Sequence, residues 1–88
     1  MSEVSFRVEC ATFFEGSGRW SVQGRAYSDV SVGDTLFISP NADRTFQVEE
    51  IESYGRSTFL LSRMMTGTLI LSGGDKNSHF QTGACIYK

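Results

Sequence analysis

Arginine and aromatic side chains are interleaved along the outer face of a predicted β-hairpin near the N-terminus. They are Arg7, Phe13, Arg19, Arg25 and Tyr27. Guanidinium groups bind phosphate oxygens and aromatic rings stack on bases, so this combination suits RNA. Arginine and aromatic residues are also enriched at protein interfaces. A third interpretation is ordinary cross-strand pairing with nearby glutamates. If the surface binds RNA or protein, these five residues are the predicted binding residues.

Catalytic residue types are few. His79 is the only histidine, and it follows a predicted loop at 73–78. A histidine can act as a general base, but catalysis also needs a nucleophile and an orienting group. Cys10 and Cys85 supply the thiols, and they would lie close together if the first and last strands are neighbours. Neither stands in a recognisable nucleophile motif. We therefore predict that the chain is not an enzyme, and keep a small enzyme using His79 and a cysteine as a third hypothesis.

The chain offers little for a metal ion or a cofactor. The two cysteines are too few and too far apart for a disulfide framework or a zinc site, so we expect two buried, reduced thiols. Glu49, Glu50 and Glu52 form an acidic cluster, but three carboxylates on one strand rarely enclose a cation. A solvated strand edge is the preferred interpretation of this cluster. The sequence predicts no metal and no cofactor.

Two further motifs have structural interpretations. Asp34 follows Gly33 in a tight turn, where an aspartate accepts hydrogen bonds from backbone amides of its own turn. Met64 and Met65 precede Gly67. Because methionine adapts to irregular gaps, we expect both to fill the core at one end of a barrel rather than to line a ligand groove.

Composition limits the partners. Residues 1–88 are predicted to form a single β-barrel domain, and 40% hydrophobic with 20% charged residues is ordinary for a soluble protein. The formal net charge of −2 argues against a general nucleic-acid binder. The chain has no run of about 18 apolar residues, the length that a membrane-spanning helix needs. The first five residues lack the regions of a signal peptide, so we expect a cytoplasmic location without membrane contact.

Alternation of period two predicts strands throughout and no helix. Residues 4–14 and 19–27 form a hairpin around a glycine-rich turn at 15–18. Further strands are predicted at 36–38, at 46–51 with a β-bulge at 49–50, and at 59–63, 69–71 and 84–87, with turns at 30–34 and 54–57. The predicted core comprises Phe6, Val8, Trp20, Val22, Leu36, Ile38, Phe46, Val48, Ile51, Leu60, Leu69, Leu71 and Ile86.

The order of glycines and apolar residues is similar to that of a known family. The matching positions are Gly18-Arg19, Val22, Gly24-Arg25, Val30, Val32-Gly33-Asp34, Ile51, Gly67 and Gly83. From Phe6 to Tyr87 this order resembles the β-barrel second domain of translational GTPases of the elongation factor Tu type. The resemblance implies a barrel that, in the family, contacts a GTPase domain, the ribosome or the aminoacyl end of a tRNA. GTP binding is not implied, because the chain has no Gly-x-x-x-x-Gly-Lys-Ser/Thr phosphate loop.

Together these patterns predict an all-β fold, a small closed or nearly closed antiparallel barrel of six or seven strands, translation-factor domain 2-like. The predicted function is a non-catalytic binding module that contacts another protein through the outer face of the first hairpin or through an exposed strand edge. A homodimer is one form of such a contact. The alternative is an RNA- or ribosome-associated accessory domain, which the resemblance favours and the net charge disfavours.

Overall fold

A computed structural model describes residues 4–37, 45–73 and 83–88. The regular elements within these ranges are all strands. They are β1 (Val4–Phe14), β2 (Arg19–Ala26), β3 (Val30–Ser31), β4 (Thr35–Phe37), β5 (Thr45–Ser53), β6 (Arg56–Thr58), β7 (Leu60–Leu61), β8 (Thr66–Ser72) and β9 (Cys85–Tyr87).

Six of these strands close into a ring. The pairing order is β4-β9-β1-β2-β8-β5, and β5 pairs again with β4. Every pairing is antiparallel, and the β4–β9 contact consists of Phe37 opposite Tyr87. β6 attaches to the outer side of β5, while β3 and β7 form a separate two-stranded sheet. This arrangement confirms the predicted all-β fold with a closed antiparallel sheet.

The predicted β-bulge in β5 is confirmed. Val48 lies opposite Leu71 and Glu50 lies opposite Ile70, so Glu49 is the extra residue. The bulge lets both Val48 and Ile51 point into the ring although they are three residues apart, because the extra residue shifts the alternation of faces by one.

A second bulge, in β1, was not predicted. Val8 lies opposite Gly24 and Cys10 lies opposite Gln23, so Glu9 is the extra residue here. Beyond it the two faces of β1 exchange, and Phe13 points inward. The expectation that Phe13 shares the outer face with Arg7 is therefore wrong.

Buried apolar side chains fill the ring. The predicted core is confirmed at Phe6, Val8, Trp20, Val22, Leu36, Phe46, Val48, Ile51, Leu69, Leu71 and Ile86. Leu60 was wrongly placed in it, since its exposed fraction is 43% and that of Leu61 is 0%. Ala26 and Val30 are also buried. Ile38 lies outside the described residues.

The chain from Tyr54 to Leu61 differs from its prediction. The turn at 54–57 is only two residues long, because β6 begins at Arg56. Tyr54 and Gly55 have φ values of 54° and 76°, the positive values that a tight two-residue hairpin turn requires. The predicted strand at 59–63 shortens to Leu60–Leu61, which pairs with β3, and Val30–Ser31 of the predicted 30–34 turn is strand. The strand predicted at 69–71 extends to Thr66–Ser72.

The Gly33-Asp34 turn has the predicted structural role. Asp34 Oδ2 accepts a hydrogen bond of 2.8 Å from the backbone N–H of Ser31. The same oxygen forms a salt bridge of 3.0 Å with Nζ of Lys88, which also donates to the backbone oxygen of Asp29 at 3.1 Å. The turn thereby holds the C-terminal residue of the chain.

Candidate functional site

Three of the five predicted binding residues lie together. Arg7, Arg25 and Tyr27 line a cleft of about 250 Å³ on the outside of the ring, with Glu9 and Gly83 among the other lining residues. We call this surface, defined by these five residues, the arginine cleft.

The other two predicted binding residues lie elsewhere. The Phe13 ring packs on Trp20 inside the ring, with centroids 5.2 Å apart and planes tilted by 54°. Arg19 is exposed but stands at the turn end of the hairpin, opposite Phe14. Arg25 lies six positions further along β2, which corresponds to roughly 20 Å of extended chain. The predicted five-residue surface therefore does not exist as one patch.

Two arginines face each other in the arginine cleft. Arg7 and Arg25 are direct cross-strand partners, and both are exposed. Their neighbours along each strand are buried in the ring, so both guanidinium groups project outward on the same face. Like charges in directly opposite positions destabilise a strand pair. Within the described ranges, no hydrogen bond or ion pair holds either guanidinium group.

A second surface surrounds β6 and β7, and the sequence did not predict it. Phe59 is 84% exposed, Leu60 is 43% exposed and Val32 is 37% exposed. Val32 and Phe59 line a groove of about 160 Å³ whose other walls are Glu49, Glu50, Ile51, Ser57 and Thr58. We call this surface the β6 groove.

The backbone explains why Phe59 is exposed. β6 ends at Thr58 and β7 begins at Leu60, so Phe59 occupies the bend between two short strands. The N–H of Val32 donates a hydrogen bond of 3.0 Å to the Phe59 carbonyl, which fixes the bend. The Phe59 side chain is therefore held in solvent, while Leu61 points into the core. The sequence alone does not locate this bend, because residues 56–61 contain no glycine or proline to mark it.

β6 is an edge strand of the described sheet. It is the last strand of the order β4-β9-β1-β2-β8-β5-β6, and it pairs only with β5 among the described strands. Its outer N–H and C=O groups can therefore accept a further strand.

The acidic cluster lies beside this edge. Glu50 and Glu52 are exposed, as predicted for solvated side chains. The cluster is not on a strand edge, because β5 pairs with β8 on one side and with β4 and β6 on the other. Glu49, in the bulge, accepts a hydrogen bond of 2.6 Å from the Ser72 hydroxyl. The groove thus carries negative charge along one wall.

The cysteines differ from their prediction. Cys10 is exposed and Cys85 is half-buried, so the expectation of two buried thiols is wrong, although both are free. β1 and β9 are neighbours as expected, but Cys85 lies opposite Arg7 rather than Cys10. Cys10 Sγ donates to Gln23 Oε1 at 3.0 Å. His79 lies outside the described residues, so the enzyme hypothesis stays untested. No three His, Cys, Asp or Glu side chains in the described ranges are grouped to hold a metal ion.

The two methionines separate. Met65 packs partly buried against the core, as predicted. Met64 is 58% exposed with a φ of 74°, so its placement in the core is wrong.

None of the described residues forms a helix long and apolar enough to cross a membrane. Comparison of the chain with known protein families, curated proteins and solved structures finds no match. What the chain binds is therefore inferred from its own surfaces.

Proposed function

We propose that this chain is a non-catalytic binding module that docks an extended segment of a partner protein along β6. The observation that carries the proposal is Phe59, a large apolar side chain that is 84% exposed beside β6, an edge strand among the described strands. A contact through the outer face of the first hairpin has less support, because Phe13 points inward and Arg19 lies at the far end of β2 from Arg25.

The apolar contact supplies affinity. Single exposed apolar side chains are normal, but Phe59, Leu60 and Val32 lie next to one another. Burying one phenylalanine side chain contributes about 2 kcal/mol, and interface energy concentrates on such anchors. Phe59 is therefore expected to be the central residue of the interface.

The strand edge supplies geometry. A segment that adds to a sheet edge forms main-chain hydrogen bonds, and its alternate side chains enter neighbouring pockets. The groove beside β6 lies at the Thr58 end of the strand, where Ile51 of β5 is the opposite residue. One apolar side chain of the added segment would sit there against Phe59 and Val32.

The negative charge beside the β6 groove indicates which partner segments it favours. Glu49 and Glu50 line the groove, and Glu52 is exposed next to it on β5. Arg56 stands at the opposite end of β6, so the acidic end of the surface is the Phe59 end. Complementary charge favours a partner segment with lysine or arginine beside its apolar anchor.

Selection from a displayed library of random extended peptides tests the proposal with the intact chain as bait. We expect selected peptides to combine an apolar residue with flanking Lys or Arg. Their affinity should fall at least about tenfold for Phe59→Ser, since losing about 1.4 kcal/mol of contact weakens binding by that factor. Phe14→Ser is the matched control, because Phe14 is also an exposed phenylalanine, at 50%, but lies at the end of β1.

Three results would contradict this docking mode: no enrichment of peptides, equal binding to the Phe59→Ser variant, or equal loss in the Phe14→Ser control. Neither variant should lower the free energy of unfolding by more than about 0.5 kcal/mol, the usual range for exposed sites. Sedimentation of the purified chain provides a further arm. A dimer that Phe59→Ser dissociates would show that a second copy occupies β6, against the proposed partner segment.

A further inference from the structure

The arginine cleft is formed by other strands than the β6 groove. The proposed docking of a partner segment along β6 does not involve it. We propose that the arginine cleft binds the phosphate group of a small phosphomonoester. The inference is independent of the proposed docking along β6.

Two arginine side chains of neighbouring strands line the cleft. The guanidinium groups of Arg7 and Arg25 project from the same outer face, and neither has an ion pair or a hydrogen bond with a described residue. A phosphate dianion between them would accept hydrogen bonds from both and would remove their mutual repulsion. Arginine suits this task because its planar fork matches the oxygens of a phosphate.

The backbone holds both arginines in place. Arg7 is paired on both sides, with Arg25 of β2 and Cys85 of β9. Arg25 is likewise paired on both sides, with Arg7 and with Thr66 of β8. A site on central strands is positioned before its ligand arrives, which lowers the entropy cost of binding.

The bulge and Gly83 shape the cleft. Glu9, the extra residue of the bulge, lines the cleft. On the other side of β1, two hydrogen bonds hold the chain before β9, from Val8 N to Ala84 O at 2.8 Å and from Gly83 N to Val8 O at 2.7 Å. A Cβ atom on Gly83 would lie 3.7 Å from Nη2 of Arg7, so the Arg7 guanidinium group sits against this glycine. On the Gly83 side the cleft is therefore bounded by backbone, with no side chain between it and Arg7.

Size and charge favour a small ligand over a polymer. The cleft measures about 250 Å³, and Tyr27 supplies a half-buried aromatic wall beside the arginines. Glu9 adds one negative charge to the two positive ones, which disfavours a polyphosphate. Arg19 is too distant to extend the site, and the chain as a whole carries a net charge of −2. A continuous basic surface, which RNA requires, is absent from the described strands around the cleft.

Titration of the isotope-labelled chain with glycerol phosphate tests the site. We expect saturable shifts of the amide signals of Arg7, Arg25 and Tyr27, and weakening of at least about tenfold in Arg7→Gln and Arg25→Gln, since a hydrogen bond to a charged group has that worth. Arg19→Gln is the matched control on the same hairpin and should bind as the parent does. Glu9→Gln should bind more tightly, because it removes the repelling carboxylate.

Several outcomes would overturn the proposal. These are no saturable shift, equal binding of acetate, or equal loss in Arg19→Gln. Tighter binding of a uridine oligonucleotide that is steeply lost with salt and abolished by Arg7→Gln would assign the cleft to RNA instead. The melting temperature distinguishes lost binding from lost folding, because glycerol phosphate should raise it in the parent and not in a folded Arg7→Gln variant.

Discussion

Replacing Gly24 by alanine is expected to lower the free energy of unfolding by about 3 kcal/mol or more, at the upper end of the usual range for overpacking. The new Cβ atom would lie 1.9 Å from the backbone oxygen of Arg7 and 2.9 Å from Cε1 of Phe6. Relief requires β1 to move, but β1 is held by β2 and β9. Urea unfolding followed by the fluorescence of Trp20, the single tryptophan, measures the effect.

Gly16→Ala is the control for this substitution. Gly16 lies in the hairpin turn, where an added methyl group would have nothing within 4 Å, and its φ is not positive. Its free energy of unfolding should stay within about 0.5 kcal/mol of that of the parent. Equal midpoints for the Gly24 and Gly16 variants would show that β1 and β2 do not approach each other as closely as described.

Leu61→Ala is expected to lower the free energy of unfolding by about 3 kcal/mol, the middle of the range for a buried leucine. Leu61 is fully buried, and its methyl carbon Cδ1 lies 2.9 Å from the position a Cβ would take on Gly67, so it packs tightly against β8. The same denaturant titration measures the loss.

Leu60→Ala is the matched comparison, one residue away in β7. Leu60 is 43% exposed, so its truncation should cost less than about 1 kcal/mol. The two variants also distinguish the described structure, in which Leu61 is buried, from the sequence prediction, which placed Leu60 in the core. A larger loss for Leu60→Ala than for Leu61→Ala would reverse the described orientation of β7.

The fold was largely predictable because the strands alternate visibly. In β5 even the irregularity showed, since Val48 and Ile51 are both apolar and three residues apart. The bulge at Glu9 gave no such indication. β1 carries large apolar residues at both Phe13 and Phe14, so the pattern looks acceptable in either phase, and only the pairing with β2 decides which ring points inward.

The candidate sites were less predictable, because each depends on pairing across the chain. Arg7 and Arg25 become neighbours through the β1–β2 register, which the prediction of a shared outer face anticipated. Phe59 is exposed only because the chain bends between β6 and β7, and Tyr27 adds to the cleft beyond the end of β2. Residue types indicate chemistry, but register decides which of them meet.

The resemblance to the second domain of elongation factor Tu-type GTPases stays a prediction. Two of its glycines have a physical reason of their own. Gly24 and Gly67 lie opposite each other in β2 and β8, and each faces backbone of a further strand, with a Cβ position 1.9 Å from Arg7 O and 2.8 Å from Glu52 O. Glycine is favoured in a strand where another backbone approaches this closely. The close approach of the strands therefore explains these two matches.

The most direct test of docking along β6 is an amide-resolved titration of the isotope-labelled chain with a peptide selected by display. We expect the largest shifts at residues 56–59 and at Val32, together with new protection from hydrogen exchange at the β6 amides that face away from β5. Shifts centred on Arg7 and Arg25, or binding without added protection in β6, would contradict it.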